Sequence, residues 1–308
     1  MKARPTPART PAPDSSPIPA HTVTGLLYVG IAVLFFSTSP VFVRWSAPFN
    51  AVEIAFWRLA IAALLVAILG LVTRQPLLLQ RRQLPRFLLY GLVTALHFFF
   101  YIAALSFTTV AHALAFTYTS PLFVTLGSLL ILREPLARRK WLGIALAILG
   151  IAVLAGFEPH YTTCSLHGQC MILGDGLALL SAFCYAIYSI AGRGERDRHP
   201  LFRYTTNVYG LAALWLLPVT LLFGFHHQEY PLTAIGSILA LGLFPLGLGH
   251  TLYNAAVRTV HATYANLIAT QEVTLGVLLG AIFLHDIPSL TTIIGGLIAL
   301  VGIAQVLL

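Results

Sequence analysis

The residues that are costliest where they stand are few. Glu272 lies about halfway along the apolar stretch 261–284. Charge in hydrocarbon is expensive, so an ionisable group there marks a functional site by default. A buried carboxylate can exchange a proton or pair with a cationic group of a solute. A structural pair with Arg58 or His250 is the other reading. Arg58 stands two turns into the apolar stretch 52–72, five residues after Glu53. Its guanidinium can grip a carboxylate with two parallel donors, hold a structural pair, or snorkel to the headgroups. Tyr90, Thr94, His97 and Tyr101 recur at steps of four, three and four, which places them on one helical face. Gly247, His250, Asn254 and Arg258 recur similarly, with Tyr253 adjacent. A polar stripe on each of two helices fits the walls of a water-filled cavity; interhelical hydrogen bonding accounts for it as well. Tyr185 and Tyr188 share a side with Ser181, and Asn207 lies in the stretch 201–223. These can hold a small amphipathic solute by stacking and hydrogen bonding. Glu134, beside a basic link, reads as an interface salt bridge, and Asp175 as an acid favouring a helix N-terminus.

The elements that must position these residues are hydrophobic helices. Of 308 residues only 9% are charged and 58% are hydrophobic, whereas soluble domains carry about 25% charge. That excludes an ordinary soluble enzyme and a disordered chain. It also excludes a nucleic-acid partner, despite a net charge of +8. A bilayer core about 30 Å thick needs about 20 apolar residues per helix. Ten segments meet or approach this: 24–43, 52–72, 87–107, 110–132, 141–156, 173–192, 201–223, 232–257, 261–284 and 290–308. The third and fourth are nearly continuous, split at 106–109, and the fifth is short. Residues 1–23, rich in Pro, Ser and Thr, read as a disordered cytoplasmic tail.

Charge gives the expected orientation. Lys2, Arg4 and Arg9 precede the first span. The links after spans 2, 4, 6 and 8 hold Arg74, Arg81, Arg82 and Arg86; Arg133, Arg138, Arg139 and Lys140; Arg193, Arg196 and Arg198; and Arg258. The alternate links 157–172, 224–231 and 285–289 hold no Lys or Arg, and only Arg44 breaks the pattern. The positive-inside rule then places both termini in the cytoplasm. Cys164 and Cys170 fall in the outer loop 157–172 with five residues between them, where an oxidising compartment allows them to pair or to stay free. His160, His167, His226, His227 and Glu229 lie in the outer loops, but at no recognised metal-ligand spacing, so no metal site is expected.

The two halves resemble each other at an offset of 152 residues. Residues 101–105 (YIAAL) match 253–257 (YNAAV), 132–134 (LRE) match 284–286 (LHD), and 147–152 (AILGIA) match 299–304 (ALVGIA). Five helices per half is odd, so the second half must enter the membrane from the opposite side. Inverted repeats place a solute site near the bilayer midplane and supply two related conformations for alternating access. The expected fold is an all-α integral membrane protein of ten transmembrane helices in two inverted five-helix repeats, 24–156 and 173–308.

Longer motifs carry a family likeness. Phe56-Trp57-Arg58 resembles an aromatic-x-Arg position early in the second helix. Residues 101–121 (YIAALSFTTVAHALAFTYTSP), running on to Leu132-Arg133-Glu134-Pro135, resemble spans 3 and 4, and 174–188 (GDGLALLSAFCYAIY) with Arg193 resemble span 6. In order and spacing the chain is similar to the EamA family of the drug/metabolite transporter superfamily. That resemblance implies ten helices, a plasma-membrane location, and export of amino acids or other small metabolites. One departure is visible: the family usually has Pro in span 9 where this chain reads Thr270-Gln271-Glu272-Val273.

The expected function is a secondary transporter of small metabolites, working through a central cavity. Its expected partners are a small-molecule solute, the lipid bilayer and protons as coupling ion. Drug-like or nucleotide-related solutes remain an alternative, and a channel or membrane receptor is the other class. No Walker A or dinucleotide fingerprint occurs, so no cofactor is expected, and no protease or paired-acid signature points to an enzyme. The site candidates are Arg58, Thr94, His97, Tyr101, Tyr185, Tyr188, Asn207, His250, Tyr253, Asn254 and Glu272.

Overall fold

The computed structural model of the protein describes residues 20–108, 110–134, 136–155, 171–224, 229–285 and 290–307. Cys164, Cys170, His160, His167, His226 and His227 lie outside the described residues, as does nearly all of the N-terminal tail. Among the described residues there are helices and no strand. Eight helices are long and apolar enough to cross a membrane, and two shorter apolar ones, Lys140–Val153 and Ile293–Val306, complete ten spans.

Span 1 is Thr22–Trp45, span 2 Ala51–Val72, span 3 Leu84–Phe107, span 5 Arg138–Ala155, span 6 Met171–Gly194, span 7 Leu201–Phe223 and span 10 Leu290–Leu307. Span 4 comes in pieces, Val110–Thr117, Ser120–Gly127 and a π-helical turn Ser128–Leu132. Span 8 runs Leu232–Leu241, a π-helical stretch Gly242–His250 around Pro245, and Thr251–Thr259. Span 9 is Ala262–Ala269 followed by Gln271–Leu284.

Local chemistry sets these boundaries. Span 2 starts with a capping box: Asn50 Oδ1 accepts from the Val52 and Glu53 N–H groups, and Glu53 accepts from the Asn50 N–H. This satisfies donors that the first turn would leave orphaned. Spans 1, 4 and 9 each break at a threonine whose hydroxyl donates to the carbonyl three residues back. Thr38 bonds Phe35 O at 2.7 Å, Thr119 bonds Phe116 O at 2.8 Å, and Thr270 bonds Leu267 O at 2.6 Å. In spans 1 and 4 the next piece opens with Pro40 or Pro121 in its first turn, where the missing N–H costs nothing. Span 9 breaks without proline, so the departure from the family pattern does not remove its bend.

The break positions expose the duplication. The pieces Val110–Thr117 and Ala262–Ala269 are offset by 152 residues, as are the ends of spans 3 and 8 at Phe107 and Thr259. Arg133 and His285, also 152 apart, both close their helices in the left-handed region, at φ 56° and 57°. Corresponding spans run in opposite directions: span 3 begins, and span 8 ends, at the end of the bundle where the arginines gather. Arg86 of span 3 reaches Glu195 there, and Arg258 of span 8 reaches the carbonyls of Arg196 and His199. We call this the basic end.

Span 2 packs on span 7, and span 3 on spans 6 and 7; span 8 packs on span 1, and span 5 on span 10. The last pair meets through glycine. A Cβ on Gly143 would lie 2.7 Å from Gly302 O, and one on Gly150 would lie 2.7 Å from Gly295 O. Small residues allow such close backbone approach, from which association in lipid gains its packing energy. Leu27, Leu64, Leu130, Leu222 and Val301 are more than half exposed on the outside, as lipid-facing residues are.

Candidate functional site

The break in span 4 faces the break in span 9 at the centre of the bundle. Ser120 Oγ donates to Asn266 Oδ1 at 3.2 Å, and Thr125 Oγ1 to Thr263 Oγ1 at 3.4 Å. Tyr118, in the span 4 break, donates a hydrogen bond to Glu272 Oε2. Glu272 sits in the first turn of Gln271–Leu284, where the positive end of the helix dipole favours a carboxylate. Tyr101 OH of span 3 approaches Glu272 Oε1 at a long 3.5 Å.

These groups line a cavity with Phe36, Ser39, Arg58, His97, Phe98, Thr117, Tyr185, Pro245 and His250. Its volume is about 20 Å³, room for about one water. Small-molecule pockets occupy about 300 Å³ or more, so in this conformation the cavity is closed to a solute of that size.

Arg58 does not snorkel. It is 1% exposed, with its guanidinium carbon 4.5 Å from the Phe98 ring centroid. Nη1 lies 3.4 Å from Ser39 Oγ, and Nε has no hydrogen-bond partner. Among the described residues no direct ion pair joins Arg58 to Glu272; the two opposite charges share one cavity. A guanidinium with donors to spare is suited to a carboxylate.

His97 is clamped by span 6. Ser181 Oγ donates to His97 O at 3.0 Å, and His97 Nδ1 lies 3.1 Å from the Ser181 carbonyl. Ser181 Oγ also lies 2.9 Å from the same Nδ1, so both polar groups of Ser181 hold this edge of the imidazole. Tyr185 stacks on this imidazole, centroids 4.9 Å apart. His250 lies among rings, 4.4 Å from Phe36 and 5.0 Å from Phe98, and its Nδ1 has no partner.

The structure thus gathers Arg58, His97, Tyr101, Tyr185, His250 and Glu272 around one cavity. The other sequence candidates stand elsewhere. Thr94 bonds the carbonyl of Tyr90 in its own helix. Tyr188 and Asn254 bond one another beside Tyr209, and Tyr253 OH lies 2.6 Å from Ser189 Oγ. Asn207 bridges the carbonyls of Leu77 and Arg203 at the basic end. Asp175 accepts from Thr108 Oγ1 at 3.1 Å and faces His112 Nδ1 at 3.3 Å, tying span 6 to the end of span 3 and to the first piece of span 4. Glu134 pairs with Arg193 at 2.8 Å, the expected salt bridge. No cluster able to hold a metal occurs among the described residues.

Sequence reasoning overlooks Ser39 and Thr117 and reads Tyr118 as one more packing aromatic, and a signal for two of the break regions is present. Residues 38–43 (TSPVFV) and 119–124 (TSPLFV) are near copies, marking the breaks of spans 1 and 4.

Comparison with known proteins agrees with this architecture. The model of the EamA-like transporter family matches residues 23–156 and again 172–308. The pseudopaline exporter CntI of Pseudomonas aeruginosa is 29% identical over 281 residues, covering 91% of this chain and 94% of its own. An uncharacterized transporter of Archaeoglobus fulgidus is 25% identical over 280 residues, covering 90% and 96%. One solved crystal structure superposes with a TM-score of 0.76 over 93% of this chain and 96% of its own, at 20% identity, a likeness of fold. With ten spans, a duplicated architecture and two family matches that cover nearly the whole described chain, the protein belongs to the EamA-like transporter family.

Proposed function

We propose that the protein is a secondary transporter that exports small zwitterionic metabolites, amino acids or related solutes, by alternating access through the central cavity. One observation carries this reading: buried Arg58 and Glu272 share a cavity where the broken helices of two inverted halves meet. Arg58 takes the solute carboxylate, and Glu272 with the aromatic faces of Phe98 and Tyr185 takes the ammonium group. Glu272 is also the group through which a proton exchanges for solute, with Tyr118 and Tyr101 as its hydrogen-bond partners. The gathering of arginines at one end supports an orientation with that end, and both termini, in the cytoplasm, and the family likeness supports the plasma membrane as the location. The Pseudomonas relative, a pseudopaline exporter, supports export as the direction.

The test is flux from proteoliposomes loaded with a panel of amino acids and related metabolites. Saturable efflux of at least one solute is expected, accelerated by a pH gradient. Glu272→Gln should abolish the response to the gradient and cut efflux by about tenfold or more, the scale of one lost charge-assisted contact. An unchanged pH response in that variant removes the proton role. Absence of saturable flux across the whole panel, with and without the gradient, rejects the transport assignment.

A further inference from the structure

The cavity is not the only polar feature inside the bundle. A column of buried tyrosines runs from it to the basic end. Tyr185, stacked on His97 at the cavity wall, stacks on Tyr188 with centroids 5.9 Å apart. Tyr188 OH meets Tyr209 OH at 3.3 Å, and Asn254 Nδ2 donates to both. Further along span 7, Tyr204 stands beside Tyr90, centroids 6.3 Å apart. Tyr90 OH donates to Glu195 Oε1 at 3.0 Å. Tyr185, Tyr188, Tyr204 and Tyr209 are each 2% exposed or less.

Four hydroxyls and an amide make a poor core when leucine would fill the same space. The column is also incompletely satisfied. Tyr204 OH and Asn254 Oδ1 are buried without partners, as are Nε and Nη2 of Arg258 at its end. Such orphans carry a desolvation cost in the closed state. They are explained if the column is wet in another state.

At the basic end the column stops at one carboxylate. Glu195, 2% exposed, receives Arg86 Nη1 at 2.7 Å, and lies 3.6 Å from Arg198 and 3.5 Å from His199 Nε2. Arg86 and Tyr90 belong to span 3, whereas Glu195 follows span 6. Arg258 of span 8 holds the same turn through Arg196 O at 3.0 Å and His199 O at 2.8 Å. This one turn therefore joins spans 3, 6, 7 and 8, the four helices that contribute the column.

We propose that the tyrosine column is the closed basic-end half of the solute pathway and that Glu195 is its gate, a role that presupposes the transport reading. When the column opens, Glu195 parts from Arg86 and Tyr90. Solute then passes hydroxyl to hydroxyl between the cavity and the basic end.

Cysteine accessibility tests this without knowing the solute. The full-length chain carries Cys164→Ser, Cys170→Ser and Cys184→Ala, and a reporter Thr251→Cys. Thr251 is buried in span 8 beside Tyr209. The probe is a small charged methanethiosulfonate, applied to the purified protein in proteoliposomes and in detergent. Slow labelling is expected with Glu195 and Arg86 intact. Glu195→Gln and Arg86→Gln should each accelerate it by about tenfold, the change that one charge-assisted hydrogen bond supports. A control reporter, Val306→Cys, lies buried in span 10 away from the column and should not respond. Unchanged labelling at position 251 in both gate variants overturns the proposal. So does equal acceleration at 251 and 306, which would mean general loosening. Accelerated labelling at 251 alone supports the gate, even if the same preparations show no saturable flux; that flux result would count only against the transport reading.

Discussion

Glu272 is held by phenols and not by a base. Tyr118 donates to one carboxylate oxygen and Tyr101 approaches the other, while Arg58 shares the cavity without touching it directly. A direct salt bridge would have to be broken before either charge met a solute, and breaking a buried pair costs about 3–5 kcal/mol. Phenol donors leave Arg58 and Glu272 separately available. Most of this was legible in the sequence, because a charged residue within an apolar run is too costly to stand there idle. Tyr118 was not, since it meets Glu272 across 154 residues and one tyrosine looks like another in the sequence. The polar stripe of span 3 was half informative: periodicity places Thr94 and His97 on one face, but does not say that Thr94 spends its hydroxyl on its own backbone. At the basic end, burial lowers the His199 imidazole from its ordinary 6.5, opposed by Glu195 and aided by Arg203, Arg86 and Arg258. Phe87 covers the ring at 5.1 Å. A depressed histidine contributes stability that is present above the unfolded value and lost as pH falls. Melting temperature in detergent should therefore drop as pH falls below about 6.5, and His199→Gln should flatten that slope. A variant with the same slope as the parent would remove His199 as its source.

Helix breaks are the elements that make the site. Without them Tyr118 and Glu272 would sit on unbroken cylinders, with carbonyls and N–H groups fully engaged. Spans 1 and 4 combine a back-bonding threonine with proline, but span 9 keeps only the threonine. Back-bonding of this kind competes with the helix ladder and bends it. The missing proline of span 9 is therefore tolerable, and restoring it should be too. Val273 lies in the first turn after the break, with its N–H on Thr270 O at 3.0 Å. In thermal unfolding Val273→Pro gives up that one bond and should cost about 1 kcal/mol, whereas Leu275→Pro, further into the helix, should cost about 3 kcal/mol or more. Equal losses in the two variants would show that span 9 behaves as one continuous helix. The ten spans were readable from composition because each must bury its backbone in lipid. The π-helical stretch Gly242–His250 was not, since Pro245 in the sequence predicts a kink without its form.

For the molecule as a whole, the 152-residue offset in sequence reappears as matched helix ends, matched breaks and matched left-handed caps. Spans 5 and 10 close the bundle at one edge through paired glycines. Gly302→Leu would drive a side chain into the Gly143 carbonyl, 2.7 Å from the added Cβ. Such overpacking costs about 1–3 kcal/mol or more, and thermal unfolding should report it as a fall of several degrees. Gly30→Leu, exposed with nothing within 4 Å of the added Cβ, should leave the transition in place. Comparable falls for both would mean that the glycine contact between spans 5 and 10 is not what holds that edge. The duplication also has a limit. At the register where the second half carries Glu272, the first half carries Ser120. Two chemically identical halves would exchange places at no cost, and a carrier built from them would rest equally in its two forms. One carboxylate on one side of the pseudo-axis ends that degeneracy. The resting balance between the forms is then a property written into the protein, and a solute acts by tilting a scale that is already uneven.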